Sequence, residues 1–270
     1  MKIKLTNIED TRNQAVTQIL DELEKKKKEA VSSGDEELAN NCWRESEALK
    51  LNIRYIEAFD KIKSRKYRDA WNDLERCEID ADSIERNSDS NFVINSRCRF
   101  IKDKVEKWQS LYPYCVFVSP GFKVGYYTCS ICNHKVRPRS RCSHVKGKIY
   151  GGELCVHVAH DLEFLEVSIV TKPVQKYSVL HNDETLDFSL IDYLSSFLDN
   201  AFEDWVAHWT RMSFAIERFS QVDPSDDCPC KSGKKFEECC INEKEISIPH
   251  VDFQFFKDIP DEKANVRFPY

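Results

Sequence analysis

The chain has 270 residues, of which 41% are hydrophobic and 32% are charged, and it carries a net charge of -6. This composition is typical of a folded globular protein and excludes a chain that is disordered throughout, while the acidic balance argues against nucleic-acid binding by the molecule as a whole. Its length predicts one large body with a small appended module.

The N-terminus turns acidic at Glu9 and Asp10, where a secretory signal would need a continuous apolar segment. The longest apolar stretch, around Phe164–Val170, is interrupted by Glu166 and is far shorter than the roughly 20 residues that cross a bilayer. We therefore expect a cytoplasmic protein without a membrane span. In that compartment the 12 cysteines, several of them in tight pairs, indicate metal binding rather than disulfides. Four others stand among apolar neighbours and are expected to be small buried hydrophobes: Cys42, Cys77, Cys98 and Cys115.

Residues 1–111 show the periodicity of helices. Apolar side chains recur at helical spacing in runs that begin at Val16, Leu38 and Ile94. The Ser33–Gly34 pair separates the first two runs, so two antiparallel helices are the simplest arrangement for them. We therefore predict a helical N-terminal region over residues 1–111.

Aromatic and β-branched residues become frequent from Tyr112 onward, which predicts strands. A β-rich zinc-knuckle region is predicted over residues 112–182, and Leu165–Val170 alternates within it as a half-buried strand does. Apolar residues then return to helical spacing, so a long aromatic-rich helix is predicted over residues 183–222.

The last regions are a cysteine-rich zinc module over residues 223–243 and an extended tail over residues 244–270. Together, the regions predict an α+β protein. Its parts are a mainly helical body, a central zinc-stabilised small β section and a C-terminal zinc module.

Two tight pairs of cysteines near the C-terminus predict a structural metal site. Cys228 and Cys230 are followed, after eight intervening residues, by Cys239 and Cys240. Thiolates in two close pairs joined by a short turn can occupy the corners of a tetrahedral zinc site, with Zn–S distances of about 2.3 Å. The segment is too short to fold by burying its own apolar side chains, so the metal should supply most of its stability.

The segment around these cysteines, Asp227–Ile241, resembles the SEC-C motif, the zinc-binding tail of the SecA preprotein translocase that also occurs in many bacterial proteins. In SecA this tail binds the SecB chaperone and has been linked to the ribosome and to phospholipids. The resemblance therefore implies a module that docks a chaperone- or ribosome-associated partner. Lys231 stands where glycine is common in the family, and Cys240 stands where either Cys or His occurs. The chain has no GxxxxGK[ST] sequence, so the ATPase activity of the translocase is not expected.

A second group of cysteines lies in the central region. Cys129 and Cys132 form a CxxC pair, and Cys142 and His144 follow as a CxH pair, which suits a second tetrahedral zinc site. Cys155 is an alternate fourth ligand, because two glycines precede it and a turn there could return it to the first pair. Three further histidines are alternative donors: His134, His157 and His160. Because four protein ligands close a zinc site and no HExxH or related catalytic sequence is present, we expect no enzymatic activity.

Six cations crowd around the central cysteines, in contrast to the acidic balance of the whole chain: Lys135, Arg137, Arg139, Arg141, Lys146 and Lys148. Such a patch could bind the phosphates of a nucleic acid, with nearby tyrosines as stacking surfaces. The alternative interpretation is that these charges are solvated loop residues or offset the thiolates.

A weaker resemblance lies in Leu165–Pro173, which is similar to the late strand of phage prohead proteases. That family places a Ser nucleophile and a His upstream of the strand, where this chain has its central cysteines, so the resemblance implies a shared strand or a non-proteolytic relative.

We therefore expect a zinc-binding adaptor with two zinc sites, whose SEC-C-like module docks a protein partner. The alternative is a nucleic-acid-associated protein, for example of a phage or defence system, that uses the basic patch around the central site. A prohead-protease-like enzyme is the third interpretation.

Overall fold

The computed structural model describes residues 4–259 and divides the chain after Phe202 into two compact units. The predicted α+β class is confirmed, with a mainly helical body, a small β section in the same unit, and a second unit that contains the C-terminal cysteines. Between residues 4 and 259, no helix is both long and apolar enough to span a membrane.

The described part of the first unit begins with six helices. They are α1 (Ile8–Thr11), α2 (Gln14–Ser33), α3 (Glu36–Lys63), α4 (Tyr67–Arg86), α5 (Ser90–Asn95) and α6 (Cys98–Leu111). The break between α2 and α3 lies at Gly34, whose φ of 76° is left-handed and ends α2, while the Asp35 carboxylate accepts the Leu38 N–H and caps α3. The chain thereby folds α3 back against α2.

Trp71 of α4 is the centre of an aromatic cluster that joins the helical body to the β section. Its ring packs against the rings of Tyr112, Tyr114 and Phe117, and its indole N–H donates to the carbonyl of Lys176 at 2.6 Å. Because these aromatic side chains are buried, they fix the start of the first strand on the helices.

Three of the isolated cysteines, Cys42, Cys77 and Cys98, are buried as predicted. The prediction is wrong for Cys115, which is exposed. Cys115 lies in the connection between α6 and the first strand, and its backbone N–H donates to His181 Nε2. Its side chain therefore lies at the surface and does not enter the core.

The β section is built on one long antiparallel ribbon. Its strands are β1 (Phe117–Cys129), β2 (Lys135–Val136), β3 (Ile149–Tyr150), β4 (Glu153–Leu154) and β5 (His157–Val170). β1 pairs with β5 along the ribbon and with β2 at its end, while β3 and β4 form a separate hairpin. The strand predicted over Leu165–Val170 is thus the second half of β5.

The β1–β5 ribbon has one apolar face. Its cross-strand pairs are Val118–Ile169, Pro120–Val167, Phe122–Phe164 and Val124–Leu162. Most of these side chains are exposed, and Ile169 exposes 70% of its surface. Because a two-stranded ribbon is marginally stable by itself, its two ends anchor it: Phe117 is buried in the aromatic cluster and Cys129 among the central cysteines.

The prediction of one long helix over residues 183–222 is wrong. This stretch contains a 3-10 turn (Asp183–Thr185), α7 (Ser189–Phe197), β6 (Trp205–Ala215) and a second 3-10 turn (Ile216–Phe219). Trp205 and Trp209 are four residues apart, which is close to one helical turn but is also two strand periods, so both structures place them on one face. The aromatic content of the segment favours the strand.

The tail predicted over residues 244–270 is not a free tail in its described part. It contains β7 (Glu245–Phe255), which pairs antiparallel with the whole of β6, from Trp205 opposite Phe255 to Ala215 opposite Glu245. Residues 260–270 lie outside the described residues. The cysteine module therefore connects the two strands of a ribbon, and the alternation of Ile246 and Ile248 is the signal that indicates β7.

Candidate metal centres

The four C-terminal cysteines converge on one point. The sulfur atoms of Cys228, Cys230, Cys239 and Cys240 all lie within 4.8 Å of one another. The Sγ–Sγ distances from Cys239 to Cys230 and to Cys240 are both 3.6 Å. A tetrahedral ion with Zn–S bonds of about 2.3 Å has edges of about 3.8 Å, so the donor set fits a thiolate-bound metal ion.

Short backbone turns bring the two cysteine pairs together. The N–H of Lys231 donates to the carbonyl of Cys228 at 2.9 Å, and the N–H of Cys228 donates to the carbonyl of Lys234 at 2.8 Å. On the other side, the N–H of Cys239 donates to the carbonyl of Phe236 at 3.1 Å. The sulfur positions are therefore set by hydrogen-bonded turns on both pairs.

The module also has apolar support from the strands that flank it. Cys228 is buried in one cluster with Phe219, Phe236, Ile246 and Ile248. The two isoleucines belong to β7, which lies beyond the module in the sequence. The β6–β7 ribbon thus supplies an apolar base for the short segment, which adds to the stability that the sequence assigned to metal binding.

The electrostatics of this cluster favour a cation. A hydrogen bond from the Ser232 hydroxyl, aided by neighbouring thiols, lowers the pKa of Cys230 to about 6. Burial raises the pKa of Cys228 and that of Cys240. One thiolate therefore forms readily while these two thiols stay protonated, and a divalent cation would supply the positive charge that favours the remaining thiolates.

The predicted donors of the central site also meet. One ligand atom from each of Cys129, Cys132, Cys142 and His144 lies within 4.8 Å of the others, and Cys129 Sγ is 3.7 Å from His144 Nδ1. Cys129 is the last residue of β1, and the N–H of Asn133 donates to its carbonyl at 2.9 Å, which closes the turn of the CxxC pair.

The alternate ligand Cys155 is not one of these four converging donors, but it lies directly beside Cys129. It is fully buried, and its Sγ is 3.7 Å from that of Cys129. The other three candidate histidines lie outside the group of converging donors. His134 faces Ser140 and His160 faces Thr128, while the His157 ring lies against that of Tyr127.

Two buried thiols of the central site have opposite pKa shifts. Burial acts to raise the pKa of Cys129, but the N–H groups of Cys132 and Ile131 and the neighbouring thiols outweigh it and lower that pKa to about 6. Burial, together with the adjacent Cys129, raises the pKa of Cys155 to about 11. As in the C-terminal cluster, one thiol forms a thiolate more readily than its neighbour, and here the sulfur of Cys129 would bind a cation first.

All six cations predicted to surround the central site are exposed: Lys135, Arg137, Arg139, Arg141, Lys146 and Lys148. Residues 124–152 contain no carboxylate side chain. The Lys135 ammonium lies 3.7 Å from the centre of the Tyr126 ring, and Lys148 donates to the carbonyl of Arg86. Across residues 4–259, no ion pair involves Arg137, Arg139, Arg141 or Lys146.

The thiolates of the central site require little of this positive charge. Three thiolates, a neutral imidazole and a divalent ion have a net charge of about −1, which a single cation offsets. The interpretation of the patch as compensation for the thiolates therefore accounts for only one of its six charges. The rest form a positive surface on an acidic protein.

Comparison with known proteins agrees with the C-terminal geometry. No significant match was found among curated proteins or among solved structures. Residues 225–242 match the family model of the SEC-C motif. The chain thus carries a SEC-C motif in its C-terminal region, and the cysteine cluster there fits a metal-binding motif.

Proposed function

We propose that the chain is a cytoplasmic zinc-binding adaptor whose SEC-C module docks a chaperone- or ribosome-associated protein. The observation that carries this proposal is the convergence of four thiols inside the segment that matches the motif. Four protein donors fill a tetrahedral ion and leave no position for a substrate, so the role of the metal is structural. A binding protein is therefore favoured over an enzyme.

The surface offered by the module is the turn between its cysteine pairs. Lys231 and Lys234 are exposed there, and neither forms an ion pair with a described residue, whereas Lys235 pairs with Asp227 at 2.9 Å. A metal ion would hold this turn rigid, which lowers the entropic cost of docking a partner. An acidic face on the partner would complement the two free lysines.

Metal content tests the first half of the proposal. The purified full chain should hold about two equivalents of zinc, and the double variant Cys239→Ser/Cys240→Ser should hold about one. Purification under anaerobic conditions checks for iron, which also occupies thiolate sites. The matched control is Cys77→Ser, because Cys77 is buried in the helical body outside both centres. An unchanged metal content in the double variant would refute the C-terminal site.

Binding to defined partners tests the second half. Wild-type chain should co-sediment with purified ribosomes or bind purified SecB, and the Cys239→Ser/Cys240→Ser variant should lose that binding. Lys231→Glu/Lys234→Glu should lose it too while keeping both metal ions. Binding that persists in the double cysteine variant, or absence of binding to both partners by the metal-loaded chain, would refute the docking role.

A second candidate function is nucleic-acid association, which is favoured by the arginines around the central site that form no ion pair with a described residue. The Arg137→Ala/Arg139→Ala/Arg141→Ala variant should bind labelled RNA or duplex DNA more weakly. The slope of log affinity against log salt should fall by roughly 2–3, since each phosphate contact contributes about 0.7–0.9. The matched control removes three lysines from α2: Lys25, Lys26 and Lys28. Equal effects of the two triple variants, or binding without salt dependence, would refute a specific surface.

A further inference from the structure

The central centre has more sulfur and nitrogen donors than a tetrahedral ion can use. Cys129 Sγ is 3.7 Å from His144 Nδ1 and also 3.7 Å from Cys155 Sγ. Both distances are close to the edge of about 3.8 Å in a thiolate-bound zinc tetrahedron. Cys129, Cys132, Cys142 and His144 form the group of four converging donors, and Cys155 is a fifth donor that stands beside this group, next to Cys129.

Cys155 is held at this centre by its own backbone. Its N–H donates to the carbonyl of Lys148 at 2.8 Å, and its carbonyl accepts from the N–H of Gly147 at 2.8 Å. The next residue, Val156, is tied to Ser130 of the CxxC pair through bonds of 3.0 and 2.9 Å. The sulfur of Cys155 is therefore placed beside Cys129 whether or not an ion is bound.

His144 is held less firmly. It lies on the connection between β2 and β3, and its ring makes an edge contact with Tyr150. Within the described part of the chain, residues 141–144 form no backbone–backbone hydrogen bonds. The imidazole can therefore leave the centre without breaking a ladder of backbone bonds, whereas Cys155 cannot.

We propose that Cys155 and His144 exchange at the fourth corner of the central metal ion. This inference rests on the proposed zinc site there. In the exchange, the Cys155 thiol gives up its proton, its sulfur binds the ion, and His144 dissociates and can take up that proton. No electron is transferred. The ion is retained in both states, while the loop that carries Arg139, Arg141 and Lys146 loses one of its two anchors.

Cobalt(II) substitution tests the exchange, because thiolate-to-cobalt charge transfer grows with the number of sulfur ligands. The parent is the full chain with Cys239→Ser/Cys240→Ser, which leaves the central site alone. His144→Ala should still bind one cobalt ion, with charge-transfer absorption about one third stronger than that of Cys155→Ala, because four thiolates replace three. Cys155→Ala should bind one ion with the absorption of three thiolates. The variant that combines both changes should bind at least tenfold more weakly than either.

Each other outcome overturns the exchange. Loss of cobalt from His144→Ala, or its retention there with absorption no stronger than that of Cys155→Ala, shows that Cys155 does not take the corner. Loss of cobalt from Cys155→Ala shows that His144 does not act as the fourth ligand. His134→Ala is the matched control, since that ring is outside the group of donors, and circular dichroism checks that each variant is folded. A parent that binds no cobalt refutes the central site itself, which is a different failure.

Discussion

The left-handed backbone conformation of Lys231, at the C-terminal centre, leads to a quantitative prediction. Lys231 has φ of 61°, in the left-handed region, and its N–H closes a turn onto the carbonyl of Cys228. Asn133 has φ of 57°, and its N–H closes a turn that is one residue longer onto the carbonyl of Cys129 at the central centre. Asparagine adopts this region readily and lysine does not. The backbone conformation therefore favours glycine over lysine at position 231.

Replacing Lys231 by glycine should therefore stabilise the metal-bound module. The left-handed conformation costs a residue with a Cβ roughly 1–2 kcal/mol, and glycine loses about 0.5–1 kcal/mol of this gain through the larger entropy of its unfolded chain. The net gain is about 0.5–1 kcal/mol. Because the module folds as it binds metal in our proposal, this gain should appear as roughly two- to fivefold tighter zinc binding.

Competition with a chromogenic chelator measures this change on the full chain. Lys231→Ala is the matched control, since it removes the charge but keeps the Cβ, and it should not tighten binding. Asn133→Gly should leave the affinity of the central site nearly unchanged, because asparagine already tolerates the conformation. If Lys231→Ala tightens zinc binding as much as Lys231→Gly does, the effect comes from the lost charge. If Lys231→Gly does not tighten zinc binding, the backbone strain at Lys231 is refuted.

Three further predictions concern stability. Ile248→Ala, beneath the module, should cost about 2–4 kcal/mol and weaken zinc binding, whereas Ile169→Ala on the exposed ribbon face should cost under about 0.5 kcal/mol in urea unfolding. The hydrogen bond from Lys102 lowers the pKa of Glu85. The stabilisation from this pair is therefore present at neutral pH and is lost as the pH falls below about 4. Lys102→Met should remove under about 1 kcal/mol of this pH dependence, measured in acid titrations of unfolding. A strong chelator should raise hydrogen exchange over residues 225–242 before the helices, and simultaneous exchange in both would contradict a metal-dependent module.

The sequence was enough to group the side chains that converge at each centre, but it was not enough to predict the structure around them. Ligand spacing is a local property, so Cys228 to Cys240 could be grouped without knowing the fold. The apolar base beneath them could not, because Ile246 and Ile248 approach the cysteines only through the pairing of β6 with β7. That pairing depends on a strand whose tryptophan spacing also fits a helix.

The position of Cys155 shows the same limit. Two glycines before it suggested a turn, but spacing alone does not distinguish a return to the first cysteine pair from other paths. The pairing of β1 with β5 decides it, since Cys129 ends one strand and Cys155 stands just before the other. Contacts between residues far apart in sequence therefore had to come from the structure.

Both cysteine centres occupy the same place in their units, at the end of a two-stranded antiparallel ribbon. Cys129 and Cys155 flank the end of the β1–β5 ribbon, and the C-terminal cysteines lie on the connection between β6 and β7. Such ribbons are marginal alone, so an ion that ties the chain together at the open end would stabilise the pairing, and the pairing would in turn hold the donors in place. At each centre the segment that leaves the ribbon carries exposed cations that form no ion pair with any residue between 4 and 259: Arg137, Arg139, Arg141 and Lys146 at one, and Lys231 and Lys234 at the other. In the function that we propose, a metal ion would hold each charged loop rigid for a partner, because four protein donors at the ion would leave no position for a substrate.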